Sequence, residues 1–254
     1  MLNPESEWFG EKKVAPDEKT HAVIDVFDSV AKRYDLMNDL MSGGVHRLWK
    51  DQFIRMIRPR AVINGRPLHY LDVAGGTGDI AFRIRRKTGA GAKITLADLN
   101  QNMLSVGRDR AIDKGWIDDF EWVTANAEML PLPDESVDVY TIAFGLRNVT
   151  HIDNALYEAI RVLRPGGRFF CLEFSHVRPK AFAKLYDAYS YAFIPKIGKM
   201  ITNDKESYQY LVESIRKFPT QKALMERMND AGFKNTRFTN FSAGIAAVHQ
   251  GVKP

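Results

Sequence analysis

A glycine-rich stretch after a short apolar segment constrains this chain more than any other feature. Residues 68–73 predict a strand, and the glycines that follow predict a tight turn into a helix that begins near Gly78. Glycine lets the backbone approach a ligand closely, and a helix N-terminus leaves N–H groups unpaired. The next predicted strand, residues 93–97, is followed by Asp98, whose carboxylate can accept both ribose hydroxyls of a nucleoside. This succession predicts a nucleotide-type cofactor site at the edge of a parallel sheet.

Two classes of cofactor fit the glycine pattern. The spacing of Gly76, Gly78 and Ala81 satisfies the loose dinucleotide pattern G-x-G-x-x-G/A, which indicates a nicotinamide dehydrogenase. The preceding Asp72 gives a pattern that resembles the first motif of class I S-adenosylmethionine methyltransferases, with Ala74 at the position of its first glycine. A carboxylate beside the turn suits an ammonium and a sulfonium and suits a pyrophosphate badly. Methyl transfer is therefore favoured over hydride transfer, which stays the alternative.

Composition excludes several other classes. The 254 residues, 45% hydrophobic and 26% charged, are typical of one globular domain with additions. The only cysteine, Cys171, lies in an apolar run, which favours a reducing compartment and a buried, unreactive thiol. The net charge of +5 is scattered, so a nucleic-acid partner is not expected. The six histidines show no metal-ligand spacing, and no metal site is expected.

Alternating strand and helix patterns predict an α/β fold with a doubly wound sheet of seven strands. The predicted strands are 68–73, 93–97, 120–125, 137–144, 168–174, 236–241 and 245–250. The turn at residues 242–244 permits a hairpin, so the sheet should be mostly parallel with an antiparallel last strand. Residues 1–20 should form a flexible arm, and 21–254 a single domain. Within it, 21–60 should be an N-terminal helical cap and 176–218 a helical insertion after the fifth strand.

Helix boundaries are predicted from capping side chains. Asn100 should cap the helix that follows Asp98, and Thr150 with Asp153 should begin the next long helix. Met37, Met41, Leu48 and Trp49 either shape a substrate pocket or belong to the core. The apolar stripe from Phe182 to Phe193, flanked by lysines, is either a lid resting on a membrane surface or an ordinary amphipathic helix.

Three further stretches resemble the ubiquinone/menaquinone biosynthesis C-methyltransferase family. The first runs from Tyr34 to Trp49 and matches a family signature at every fixed position. The second runs from Arg161 to Ser175, with Arg164 where the family usually has lysine. The third is the run 144–149, Phe-Gly-Leu-Arg-Asn-Val. The likeness extends from about residue 20 to the end of the chain.

The resemblance implies a class I methyltransferase fold, S-adenosyl-L-methionine as the methyl donor and a ring carbon of a prenylated quinol as the acceptor. Asp98 would bind the ribose hydroxyls, Asn126 and Ala127 would meet the adenine edge, and Thr77 would be a further contact. The complete set of predicted cofactor-binding residues is Asp72, Gly75, Gly76, Thr77, Gly78, Asp98, Asn126 and Ala127.

The predicted catalytic residues are Arg147, Asn148 and Tyr34. Because a guanidinium stays protonated, Arg147 cannot act as a conventional base. Its predicted role is to stabilise the charge of a developing phenolate, while Asn148 and Tyr34 orient the ring or a proton-accepting water. The alternative for Arg147 and Asn148 is an ion pair and a helix-capping side chain without a part in catalysis.

The resemblance leaves the partners partly open. The ring can be a benzoquinol, a naphthoquinol or both, and the tail length is not defined. The predicted location is cytoplasmic, with peripheral contact at the inner face of the membrane as an option. A homodimer and a quinone-biosynthesis protein complex are further options. The competing functions are a methyltransferase for another small phenol and a non-catalytic cofactor-binding scaffold.

Overall fold

The computed structural model describes residues 7–9, 12–30, 44–176 and 205–254. The strands are β1 (Glu7–Phe9), β2 (Lys12–Val14), β3 (Val62–Ile63), β4 (Arg66–Pro67), β5 (His69–Val73), β6 (Lys93–Asp98), β7 (Glu121–Thr124), β8 (Val137–Ala143), β9 (Leu163–Phe174), β10 (Lys234–Phe241) and β11 (Ala246–Val252). The helices are α1 (Pro16–Val30), α2 (His46–Ile57), α3 (Asp79–Thr88), α4 (Gln101–Ile112), α5 (Ile152–Val162), α6 (Lys205–Lys217) and α7 (Gln221–Asp230). Tyr34 and the stripe 182–193 lie outside the described residues.

The central sheet has seven strands in the order β10-β11-β9-β8-β5-β6-β7. Neighbouring strands from β9 to β7 are parallel, whereas β11 runs antiparallel to both β9 and β10. The predicted mostly parallel sheet with an antiparallel last strand is confirmed. Because β5 lies between β6 and β8, the turn after β5 opens at the centre of the sheet, where ligands of such sheets bind.

Helices cover both faces of the sheet and bury separate apolar clusters. On one face, α2 and α3 contribute Phe53, Ile57 and Ile84, which have no measurable exposure. On the other face, α5 and α7 contribute Ala159 and Met228, also fully buried. Each large apolar side chain buried in this way stabilises the fold by roughly 2 kcal/mol. Cys171 is buried in the second cluster, and burial raises the pKa of its thiol, as expected of an unreactive cysteine.

The N-terminal residues contain more regular structure than the predicted flexible arm. Strands β1 and β2 pair antiparallel, and α1 begins at Pro16 instead of near residue 21. Proline suits the first helical position because its missing N–H would have no partner there. Asp17 and Glu18 in the first turn favour the same start through the helix dipole.

The predicted start of α5 at Thr150 is wrong by one residue. The N-cap is His151, and its side chain makes no capping bond. The Thr150 hydroxyl lies 3.0 Å from that of Thr20 on α1, so it is engaged in a tertiary contact. By contrast, the predicted cap at Asn100 is confirmed, since its Oδ1 accepts a 2.9 Å hydrogen bond from the N–H of Met103.

Strand β9 begins at Leu163, five residues before the predicted start at Arg168. Leu163 pairs with Val137, and the register shifts before Val139 pairs with Arg168. The glycine pair at 166 and 167 is therefore accommodated as an irregularity within the strand instead of ending it.

The signature tryptophan belongs to the core. Trp49 is 3% exposed and packs edge-on against Phe174, and its indole N–H donates to the Ser242 hydroxyl over 2.9 Å. Leu48, in contrast, is 67% exposed. Core packing therefore accounts for Trp49 but not for Leu48.

Candidate active site

The turn after β5 takes the conformation that its glycines permit. Gly78, with a φ of +86°, is the N-cap of α3, and its N–H donates to the Gly75 carbonyl over 2.9 Å. At Gly75 a Cβ would lie 3.0 Å from the Asp72 carbonyl oxygen, so a larger residue would push the turn away from β5. The chain thus passes directly from the buried strand to the helix.

Asp98 is fixed beside this turn by backbone hydrogen bonds. Its Oδ2 accepts the N–H of Gly76 and its Oδ1 accepts the N–H of Asn100, each over 2.8 Å. Burial raises the pKa of the Asp98 carboxyl to about 6, although these hydrogen bonds act to lower it. Each oxygen keeps a second lone pair, so the carboxylate can still accept hydrogen bonds from a ligand.

Asp72 lies under the turn and is 1% exposed. Its Oδ1 accepts the Thr141 hydroxyl over 2.8 Å, and its Oδ2 accepts the N–H of Ala81 over 3.2 Å. Burial raises the pKa of Asp72 to about 7, despite the lowering effect of both hydrogen bonds. A cationic ligand beside it would favour the ionised form.

A cavity at the carboxyl ends of β5, β6 and β8, which we call the central cavity, brings most of the predicted residues together. Its wall on the β5–β6 side contains Asp72, Gly75, Gly76, Thr77 and Asp98. Further along lie Asn126, Ala127 and Asn148. Gly78 caps the helix instead of lining this cavity, and Tyr34 lies outside the described residues.

The N-terminal helix α1 forms one wall of the central cavity through Thr20, Val23 and Ile24. The helix is held in place by the Lys19 ammonium, which donates to the Val149 carbonyl over 3.1 Å. The Asn100 side chain also donates to the Ile24 carbonyl over 3.4 Å. The cavity is therefore closed partly by a segment that precedes the sheet in the chain.

Arg147 does not line the central cavity. Its guanidinium is fully buried and lies 2.8 Å from Glu173 Oε1, and Glu173 is 1% exposed. The same Nη1 atom donates to the Phe144 carbonyl over 2.5 Å. Arg147 instead contributes to a neighbouring polar cavity, the side cavity, which is also lined by Thr150 and Tyr210. Its predicted contact with a substrate ring stays a prediction.

Asn148 lines the central cavity and has a partner that the sequence did not indicate. Its backbone N–H bonds to the Gly145 carbonyl over 3.0 Å in a short 3-10 turn, and its Oδ1 accepts the Tyr210 hydroxyl over 3.1 Å. Tyr210 is 4% exposed, and burial raises its pKa. It lies in the predicted helical insertion, where no motif distinguished it from other apolar positions.

A partly buried ion pair lies at the start of α3. Lys50 Nζ is 2.7 Å from Asp79 Oδ2, and both residues line the central cavity. Burial acts to raise the pKa of Asp79, but Lys50 and Arg83 hold it at about 2, so Asp79 is ionised. Lys50 directly follows the family signature that ends at Trp49, which is the one signal that could have indicated it.

In the described ranges, no group of three or more histidine, cysteine, aspartate or glutamate side chains is arranged to hold a metal ion. Within the same part of the chain, no helix has both the length and the apolar character needed to cross a membrane.

Solved structures share the fold at low sequence identity. The [4+2]-cyclase SpnF superposes with a TM-score of 0.67 at 17% identity, covering 92% of this chain and 97% of the other. An S-adenosylmethionine-dependent methyltransferase from Aquifex aeolicus gives 0.60 at 15% identity, covering 89% and 98%. At such identities the likeness establishes the fold alone.

Sequence relatives are much closer. A Brucella abortus (strain S19) protein named ubiquinone/menaquinone biosynthesis C-methyltransferase UbiE is 57% identical over 246 residues, covering 96% of this chain and 90% of the relative. A Brucella anthropi protein of the same name is 56% identical, covering 96% and 92%. The profile of the ubiE/COQ5 methyltransferase family matches residues 13–253. This match over most of the chain, together with the 57% identity to the Brucella abortus relative, shows that the chain belongs to the ubiE/COQ5 methyltransferase family.

Proposed function

We propose that this protein transfers the methyl group of S-adenosyl-L-methionine to a ring carbon of a prenylated quinol in ubiquinone or menaquinone biosynthesis. The observation that carries the proposal is the 57% identity, over nearly the whole chain, to relatives named for this reaction. The site geometry supports it independently through the residues of the central cavity.

The central cavity suits the proposed methyl donor. The Asp98 carboxylate, held by backbone N–H groups, can accept two ribose hydroxyls, and Asn126 and Ala127, which follow β7 and line the same cavity, are the proposed contacts of the adenine edge. Asp72 offers negative charge near a sulfonium and an ammonium. Two buried carboxyls beside the turn oppose a pyrophosphate, which argues against a nicotinamide dinucleotide.

The acceptor would enter between α1 and the turn after β8. Val23, Ile24 and Phe144 present apolar surface there, and Asn148 offers an amide to a ring oxygen. A quinol ring is electron-rich at carbon, more so once its hydroxyl loses a proton. Holding the ring carbon, methyl and sulfur in line would supply much of the rate gain.

Arg147 would act on the ring from outside the central cavity, since it lines the side cavity instead. Its guanidinium remains charged and is held by Glu173, so it can stabilise a developing phenolate only through the field it projects past the turn 146–148 or through a movement of that turn. Asn148 and Tyr34 remain the proposed groups that orient the ring or a proton-accepting water.

The acceptor also bears on where the protein works. Because a prenyl tail partitions into a bilayer, we expect peripheral contact with a membrane surface. Flotation with vesicles that contain a prenylated quinol would detect such contact. Homodimerisation and a quinone-biosynthesis complex stay predictions, which light scattering and affinity purification would test.

The direct test is an in vitro assay with purified protein, chemically reduced short-tail quinols and S-adenosylmethionine labelled in the methyl group. The proposal expects one labelled methyl on a ring carbon, identified by fragmentation in mass spectrometry. Transfer of the methyl group to a ring oxygen would contradict the proposal and would favour a methyltransferase that acts on another small phenol. Binding of the donor without transfer to benzoquinol or naphthoquinol would favour the scaffold.

A further inference from the structure

The central cavity has two chemically different ends. Asp98 ends β6, and Asn126 and Ala127 follow β7, so the nucleoside end lies on the β6–β7 side of the glycine turn. The opposite end lies between β5 and β8, where Phe144 follows β8. Since adenosine and amino acid are at opposite ends of the methyl donor, the amino-acid end falls on the β8 side.

A buried lysine stands at that second end. The Lys50 side chain is 4% exposed, and its Nζ lies 6.0 Å from the centre of the Phe144 ring. Lysine is rarely buried unless its charge is matched. Asp79 Oδ2 supplies one match at 2.7 Å, but Asp79 also accepts the Arg83 Nε–H over 3.0 Å. Arg83 is also paired with the exposed Asp51, so Asp79 is shared between the two cations while Lys50 is paired with Asp79.

The geometry also leaves donors on Lys50 for a ligand. An ammonium carries three N–H groups, and the hydrogen bond to Asp79 uses one of them. Lys50 belongs to the lining of the central cavity, so the remaining donors lie at its β8 end. A carboxylate of a ligand at this end could accept these donors and would give the buried ammonium an anionic partner in addition to Asp79.

We infer that Lys50 binds the carboxylate of the amino-acid end of S-adenosylmethionine. In this arrangement Asp79 holds the ammonium group of Lys50 in position. This inference rests on the proposed methyl donor and adds a residue that neither the glycine pattern nor the family signatures assign. It also explains why a charged side chain from α2, a helix outside the sheet's own connections, reaches the cavity.

The test compares two ligands by calorimetric titration of the purified protein. S-adenosylhomocysteine has both the adenosine and the amino-acid end, whereas 5′-methylthioadenosine has the adenosine and the sulfur but neither carboxylate nor ammonium. Lys50→Gln should weaken S-adenosylhomocysteine binding by roughly tenfold or more, as expected for a hydrogen bond between charged groups. It should leave 5′-methylthioadenosine binding within about twofold of wild type, a margin well below 1 kcal/mol. Lys50→Arg, which keeps the charge, should recover most of the loss.

The control is Arg55→Gln, which removes one positive charge from the exposed face of the same helix and should change neither affinity. Equal affinities of Lys50→Gln and wild type for S-adenosylhomocysteine would overturn the inference. An equal loss for both ligands would also overturn it, because Lys50 would then support the fold of the cavity. If wild type bound neither ligand, the proposed methyl donor itself would fail, and the inference with it.

Discussion

The Tyr210 hydroxyl donates a 3.1 Å hydrogen bond to Oδ1 of Asn148, and this bond joins α6 to the 3-10 turn after β8. With Oδ1 engaged, the amide N–H groups of Asn148 are directed elsewhere, and the side chain lines the central cavity. Tyr210 therefore fixes which end of the amide a quinol oxygen would meet.

Removing this bond should affect catalysis more than cofactor binding. Tyr210→Phe keeps the ring but frees the Asn148 amide to rotate, at a loss of about 1 kcal/mol in transition-state positioning, or roughly fivefold in kcat. Titration should show unchanged affinity for S-adenosylhomocysteine. Tyr157→Phe, at an exposed position on α5, is the control. An unchanged kcat in Tyr210→Phe would show that Asn148 is oriented without it.

The ion pair between Arg147 and Glu173 should be essential for stability. Glu173→Gln removes the negative charge that lies 2.8 Å from a fully buried guanidinium, so the free energy of unfolding should fall by about 3 kcal/mol or more. Denaturant unfolding measures this directly. Glu226→Gln, which breaks the exposed pair with Lys222, should cost less than about 1 kcal/mol. Equal effects of the two substitutions would contradict the prediction.

Cofactor affinity should depend on pH through Asp98. Its pKa of about 6 in the ligand-free protein means that acid protonates the oxygens that would accept the ribose hydroxyls. Because binding favours the ionised form, affinity for S-adenosylhomocysteine should fall as the pH drops below 6, by up to roughly tenfold per unit. Asp98→Asn should bind weakly with a flatter pH profile. An unchanged profile in this variant would assign the dependence to another group.

The stability of the ligand-free protein should also depend on pH, through Asp72. Here the higher pH is the unfavourable one. The folded-state pKa of about 7 lies above the ordinary value of 3.8, so between these values the folded state binds more protons than the unfolded state. Stability therefore falls as the pH rises through this range. Asp72→Asn can keep both hydrogen bonds, because Thr141 can accept from the new amide while the remaining oxygen accepts from Ala81.

The Asp72→Asn variant should consequently be more stable than wild type at pH 8, by up to about 4 kcal/mol, and close to it near pH 4. Thermal unfolding across this range measures the difference. A variant less stable than wild type at pH 8 would show that the ionised carboxylate stabilises the turn.

The close approach of β5 and β8 can be tested with a double-mutant cycle. A Cβ at Gly145 would overlap the Cβ of Ala74, so Gly145→Ala should lower the free energy of unfolding by about 1–3 kcal/mol. Ala74→Gly removes the opposing methyl and relieves a non-glycine residue at a φ of +50°. The double variant should recover most of the loss. Additive losses would mean that the two positions do not share this space.

Local signals in the sequence were sufficient for the sheet and for much of the central cavity. Asn100 was identifiable as a cap, and Asp98 as a cavity residue, because the chemistry of each depends on residues within a few positions. Thr150 was misjudged because its hydroxyl pairs with Thr20, a contact across 130 positions that no local pattern reveals.

The functional residues that the sequence did not predict were missed for the same physical reason. Lys50 and Tyr210 lie on helices before and after the core of the sheet, and only the fold brings them to Asp79 and Asn148. The burial of Arg147 likewise depends on Glu173, which lies on the neighbouring strand. Pairings of this kind are determined by strand order, which the sequence predicted only in outline.

The left-handed backbone conformation of Ala74 bears on how the glycine motif should be searched for in other chains. At the point where β5 and β8 end, there is room for one methyl group, and in this protein it belongs to Ala74 while Gly145 leaves the space open. The steric requirement is thus a property of two positions on adjacent strands. A search that demands glycine at the first motif position alone would overlook proteins that place the small residue on the other strand.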